Sequence, residues 1–87
     1  MKNIDKTLKA ISSPIRIMIL RYLCKGPSCV TLTNKEIGIS QPNLSQHLKV
    51  LKDASLIDSQ KKMNKRCYFI INLEEVQTLL KTLDELS

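Results

Sequence analysis

Apolar residues recur along this chain with helical spacing in four places, and with strand-like density in a fifth. Leu44, Leu48 and Leu51 stand at i, i+4 and i+7 within Ile39-Ser40-Gln41-Pro42-Asn43-Leu44-Ser45-Gln46-His47-Leu48-Lys49-Val50-Leu51, so one face of that segment packs inward. Ser40 is placed to cap this helix. Pro42 fits its first turn, where a missing N–H has no intrahelical partner. Gly38 suits a tight turn just before it, because glycine tolerates positive φ. The helix is expected to run to about Ala54. Thr33-Asn34-Lys35-Glu36 matches a capping box, with Thr at the N-cap and Glu three residues on, and predicts a short helix ending at Gly38. Together these two helices read as a helix-turn-helix over about 33–54.

Upstream, Ile4, Leu8 and Ile11 make a narrow apolar stripe on a first helix over about 3–12, capped by Asn3 with Asp5 in its opening turn. A stripe this narrow suits a dimer seam better than a core. Ser13-Pro14 opens a second helix, from Pro14 to about Lys25, that is apolar nearly all round and so belongs at the centre of the domain. Met18 is read as core filler there, while Arg16 and Arg21 must reach the surface. Gly26-Pro27 stops it. Ser28 to Thr33 is a connector whose β-branched Val30, Thr31 and Thr33 predict a short extended piece.

Downstream, Leu56–Gln60 and Cys67–Ile71 read as paired strands around a polar loop, 61–66, in which Asn64 suits the left-handed conformation. The hairpin occupies about 56–71. Asn72 caps a last helix over about 73–86, with Glu74 and Glu75 in its first turn. There Val76, Leu79, Leu80, Leu83 and Leu86 form a seam resembling that of a coiled coil, expected to dimerise jointly with the first helix.

Charge adds a direction to this layout. The 87 residues are one domain carrying 14 Lys and Arg against 8 acids, a net of +6. Lys49, Lys52, Lys61, Lys62, Lys65 and Arg66 crowd one region. The segment after Asn72 is acidic, so the two lie on different surfaces. Four cations on a hairpin tip repel one another, which makes sense beside a polyanion. Gln41, Asn43, Ser45, Gln46 and Lys49 face outward from the candidate recognition helix, and their side chains are of the kind that reaches base edges and phosphates in a major groove. The expected DNA-contacting set is therefore Gln41, Pro42, Asn43, Ser45, Gln46 and Lys49 on the helix, with Lys61, Lys62, Asn64, Lys65 and Arg66 on the hairpin.

Other chemistry is sparse. No apolar run approaches the ~20 residues a membrane span needs, and the first residues lack a signal-peptide core, so a cytoplasmic location is expected. Three cysteines, an odd number, do not suggest a disulfide framework. Cys24 and Cys29 flank the Gly26-Pro27 stop. They are read either as thiol ligands for a soft ion such as arsenite or antimonite, with Cys67 the only further thiol, or as a redox pair activated by Lys25, or as packing residues. His47 falls toward the packed side and reads as a structural histidine. Ser45 and His47 point to different sides of the helix and form no catalytic pair. Paired carboxylates, a Gly-rich phosphate loop and a CxxC are all missing from the sequence, so an enzyme is not expected.

The order helix, helix, helix, recognition helix, hairpin, helix resembles the winged-helix repressors of the ArsR/SmtB family. The residues that carry the likeness are Ser13 to Leu23, then Gly38 to Leu51 with its Ser-x-His-Leu-Lys-x-Leu block, then Lys52 to Ile57. The resemblance covers nearly the whole chain. It implies a mainly α fold with a small β-hairpin, a winged helix-turn-helix of order α-α-α-α-β-β-α. It further implies a homodimer built on the first and last helices that binds double-stranded DNA at a near-palindromic operator. Family members typically leave DNA when an inducer, often a metal or metalloid, binds Cys or His ligands. This chain departs from the pattern at Ser55 and Asn64, where the family usually has Gly. In one register Cys29-Val30-Thr31 overlies the family's Cys-Val-Cys metal motif, with Thr31 replacing the second Cys. The last helix has no His, Cys or clustered acid pair for a zinc site. The resulting expectation is a repressor released by a thiol-sensed inducer: a metalloid, a divalent metal or a redox signal. The alternatives are a repressor without thiol sensing and a winged-helix protein-interaction module that uses the Leu79–Leu86 seam.

Overall fold

The computed structural model describes residues 4–87, so the Asn3 cap lies outside the described residues. The elements are α1 (Ile4–Ile11), α2 (Pro14–Leu23), β1 (Ser28–Cys29), α3 (Val30–Ile37), α4 (Gln41–Asp53), β2 (Ile57–Lys62), β3 (Lys65–Ile70) and α5 (Leu73–Leu86). The sheet is antiparallel in the order β1-β3-β2. One core unites Ala10 of α1, Ile19, Leu20 and Leu23 of α2, Leu44, Leu48 and Leu51 of α4, Leu56 and Ile57 entering β2, and Val76 and Leu80 of α5.

Helix ends follow the local chemistry. Ser13, Ser40 and Asn72 each accept a hydrogen bond from a first-turn backbone N–H: Arg16 N at 3.4 Å, Asn43 N at 3.4 Å and Glu75 N at 3.0 Å. Gly38 ends α3 at φ 77°, with its N–H on Asn34 O at 2.9 Å. The turn into α4 is pinned further by the Asn34 side-chain amide donating to Ile39 O. At the far end of α4, Leu56 N–H reaches Leu51 O and Ser55 N–H reaches Lys52 O, the paired bonds of a Schellman motif. That motif puts Ser55 at φ 60°, the place where the related pattern has Gly.

Several expectations are corrected. Thr33 is not an N-cap. It is fully buried inside α3, and its hydroxyl donates to Cys29 O at 2.9 Å. The extended piece is Ser28–Cys29 rather than Val30–Thr33, because pairing with Tyr68 and Cys67 fixes the chain there and α3 starts directly after it. The helix-turn-helix therefore begins at Val30, not 33. Met18 is 45% exposed and fills no core, since an α2 apolar all round has more apolar surface than this small domain can cover.

Arg16 does not run out to solvent. It folds back half-buried, with Nε on Ala10 O at 2.7 Å, Nη2 on Lys9 O at 2.7 Å and Nη1 3.1 Å from His47 Nδ1. It thereby closes the carbonyl end of α1 and joins it to α4. Arg21 is exposed as expected and pairs with Asp84 of α5 at 2.5 Å. The polar hairpin loop contracts to two residues, Met63 and Asn64, at φ 46° and 69°. Both are positive, as a type I′ turn requires. Lys61, Lys62, Lys65 and Arg66 consequently stand on the strands rather than in a loop.

Candidate nucleic-acid interface

The α4 stripe divides the helix as its spacing predicts. Leu44, Leu48 and Leu51 are buried, and Gln41, Pro42, Asn43, Ser45, Gln46 and Lys49 are all exposed. His47 lies between the two faces, half-buried against Arg16. Burial, and then the Arg16 guanidinium, hold its imidazole below its ordinary pKa. A neutral, hydrogen-bonded His47 braces the back of the recognition helix and does not touch the outer face.

On the hairpin, Lys61 pairs with Arg66 and Lys62 with Lys65 across β2 and β3, and all four are exposed. Like charges set directly opposite destabilise a hairpin. Their presence here is consistent with a wing that meets an anion. Asn64 adopts the left-handed conformation expected of it and ends the wing beside Met63.

Between α4 and the wing lies a polar-lined cleft of about 330 Å³, bordered by Ser45, Lys49, Lys52, Ser59, Arg66 and Tyr68. Lys52 Nζ and Arg66 Nη1 each donate to Ser59 Oγ at 3.1 Å. Lys52 also lies 3.8 Å from Asp58, and Lys49 pairs with Asp53 at 3.2 Å. Lys52, Ser59 and Tyr68 did not emerge as site residues from the sequence. The helical row Ser45-Lys49-Lys52 was legible, but the strand register that sets Ser59 and Arg66 beside it was not.

The three thiols are arranged differently from the Cys24–Cys29 pairing considered above. Cys29 in β1 is the direct cross-strand partner of Cys67 in β3. Cys24, at the end of α2, shares with Cys67 an apolar groove of about 360 Å³ that Pro27, Phe69 and Leu73 also line. All three are free and half-buried. Burial pushes the Cys24 thiol up, against the opposing effect of Arg21, so Cys24 is not an activated thiolate. Among the described residues no group of three or more His, Cys, Asp or Glu side chains is placed to hold a metal ion, so the donor set for a three-thiolate site is not assembled.

The dimer candidates divide in two. Val76 and Leu80 are buried in the chain's own core, and Ile11 packs against it. Ile4 and Leu8 on α1 are 70% and 55% exposed, and Leu86 on α5 is 78% exposed, with Leu79 and Leu83 half-buried. No helix among the described residues is long and apolar enough to cross a membrane.

Known proteins share both sequence and fold with this chain. The family profile described as bacterial regulatory protein, arsR family, matches residues 13–59, more than half of the chain. An uncharacterised HTH-type transcriptional regulator of Methanocaldococcus jannaschii is 35% identical over 79 residues, covering 90% of this chain and 88% of the relative. The arsenical resistance operon repressor of Bacillus subtilis is 35% identical over 81 residues, covering 92% and 76%. The biofilm growth-associated repressor of Xylella fastidiosa is 31% identical, and this chain spans 61% of its length. Among solved structures, NolR from Sinorhizobium fredii superposes with a TM-score of 0.85 at 29% identity, covering 95% of this chain and 82% of that one. A homodimeric winged helix-turn-helix DNA-binding domain from Mycobacterium bovis gives 0.84 at 23% identity, covering 95% and 76%, a likeness of fold. With the winged-helix architecture, the exposed polar face of α4 and the cationic wing, these matches place the chain in the ArsR family, as a DNA-binding transcriptional regulator and not an enzyme.

Proposed function

We propose that this protein is a homodimeric repressor that seats α4 in the major groove and lays its wing along the flanking phosphates. The observation that carries this is the outward row of α4. Gln41, Asn43, Ser45 and Gln46 are exposed and uncharged for reading or positioning bases, and Pro42 at the helix start brings the backbone close. Lys49, Lys61, Lys62, Lys65 and Arg66 hold phosphates, and Asn64 turns the wing tip. Exposed Ile4, Leu8 and Leu86, extended by Leu79 and Leu83, form the dimer face, with Ile11, Val76 and Leu80 supporting it from the core side. Two-fold symmetry sets the recognition helices in successive major grooves, about 34 Å apart, on a near-palindromic operator. Fluorescence anisotropy of the duplex selected by this protein from a random library tests the docking. With about four phosphates neutralised per protomer, the log–log salt slope is about −7. A slope near zero rules the docking out.

We also propose that thiols release the repressor, and that Cys67 is the shared partner. Directly opposed strand residues stand about 4.5–5.5 Å apart at Cα, within the ~4.4–6.8 Å span of a disulfide, and Cys29 faces Cys67 in that way. Hydrogen peroxide would oxidise one thiol, reacting as its thiolate after losing a proton, to a sulfenic acid; the O–O bond breaks and the hydroxide released takes up that proton as water. The second thiol would then displace a second water and form the Cys29–Cys67 disulfide. Cys29 also precedes the first residue of α3, so the bond would tie the helix-turn-helix to the wing. The metalloid reading keeps Cys24 and Cys29 as ligands, and with two sulfurs rather than a built three-thiolate site it predicts weak capture. Peroxide is expected to release wild type and Cys24→Ser, and to leave Cys29→Ser and Cys67→Ser on DNA. Release by arsenite or zinc that needs Cys24 would assign the inducer to metal chemistry, and indifference to all three would make the cysteines packing residues.

A further inference from the structure

The cleft between α4 and the wing draws two cations from different elements onto one hydroxyl. Lys52 reaches into it from the last turn of α4, and Arg66 from the start of β3. Both donate to one neutral oxygen, Ser59 Oγ, so their charged nitrogens lie within roughly 6 Å of each other. Among the described residues the carboxylate paired with this group is Asp58, 3.8 Å from Lys52, and its nearer oxygen already accepts the Ser59 backbone N–H at 2.7 Å. Arg66 makes no ion pair among the described residues. Two cations drawn together around a hydroxyl repel each other until an anion joins them.

Ser59 is suited to complete such a site. A serine hydroxyl has two acceptor lone pairs and one hydrogen to donate. Lys52 and Arg66 take the lone pairs, and the hydrogen has no acceptor among the described residues. It is free to donate to an incoming oxygen. The cleft borders Ser45 and Lys49 on the exposed face of α4, so an anion held there lies beside the bases that α4 reads.

We propose that Lys52, Ser59 and Arg66 form one clamp for a single DNA backbone phosphate in each half-site, with Ser59 positioning both cations on it. The clamp rests on the DNA-docking reading above. It couples the recognition helix to the wing through the DNA: the phosphate joins an α4 cation to a β3 cation and fixes the groove register of the helix.

A methylphosphonate scan of the selected duplex, one neutralised phosphate at a time, tests this by fluorescence anisotropy. Wild type is expected to lose affinity at about four backbone positions per half-site, by about tenfold at the one that the clamp holds. At that clamped position Lys52→Gln, Arg66→Gln and the double variant are expected to lose little further. The double variant should flatten the salt slope by about 1.8 for the dimer, the value for one phosphate per protomer, and not by about 3.6. Ser59→Ala should weaken binding and Ser59→Thr, which keeps the hydroxyl, should restore it, with unchanged thermal melts for both. If Lys52→Gln and Arg66→Gln each abolish the sensitivity of a different phosphate, or the slope change is near 3.6, the clamp is overturned and the docking is left intact. A wild-type protein that selects no duplex would overturn both.

Discussion

Arg16 joins three helices through one planar fork, and its removal should be felt as a loss of stability rather than of DNA contact. Arg16→Met keeps the aliphatic stem and deletes the bonds to Lys9 O, Ala10 O and His47 Nδ1. Bonds from a charged donor are worth ~1.5–3 kcal/mol each when fully buried. For a half-exposed guanidinium about 1 kcal/mol per carbonyl is reasonable, with somewhat less for the imidazole. The expected cost is about 2–3 kcal/mol. Total stability for a domain of this size is on the order of 4–13 kcal/mol, so the loss is a large fraction. At ~4–8 °C per kcal/mol, Tm should fall by roughly 10–20 °C. The assay is urea and thermal unfolding at one fixed protomer concentration, because dimerisation makes midpoints concentration-dependent. Arg16→Lys should recover only part of the loss, since one ammonium cannot span three acceptors set for a fork. A cycle with His47→Gln should isolate about 0.5–1 kcal/mol of coupling between α2 and α4. If Arg16→Met unfolds within 0.5 kcal/mol of wild type, the fork does not hold α1. If stability is unchanged and DNA affinity collapses, the guanidinium acts on DNA instead.

Three further outcomes follow from the same geometry. Ser55→Gly relieves a non-glycine residue at φ 60° and should stabilise the domain by about 0.5–1 kcal/mol, read as a higher urea midpoint; a lower midpoint would mean that the Ser55 side chain has a stabilising role. Met63→Asn with Asn64→Gly places the preferred type I′ pair at φ 46° and 69°, and amide exchange at Lys62 and Lys65 should slow; faster exchange would refute the turn assignment. His47 titrates below its ordinary value in the folded state, so the unfolded chain binds its proton more readily. Its contribution is fully present above about pH 6.5 and is lost as pH falls below that, and His47→Gln should lessen the drop in urea midpoint between pH 7.5 and 5.5.

What could be read from the sequence was what neighbouring residues decide between themselves. The cap at Ser40, Pro42 in the first turn and the Leu44-Leu48-Leu51 stripe are all local, and α4 has the bounds and the two faces they specify. Thr33 failed for the opposite reason. The capping box is a local signal, and it lost to a distant one, the pairing of Ser28–Cys29 with a strand some forty residues downstream, which starts the helix early and buries Thr33. The same pairing explains the cysteines. Cys24 and Cys29 are close along the chain, but Cys29 faces Cys67, and no spacing rule could have brought Cys67 forward. Arg16 shows how the error runs with charge: the sequence sends it to the surface, and the fold holds it on oxygens from another element. A cation held in place on a small basic domain says more than a cation counted. Arg16, bonded to carbonyls and backing His47, is bound into the structure, whereas Lys52, with Asp58 at 3.8 Å, and Arg66 converge on one hydroxyl whose hydrogen is still free and are poised for a further anion.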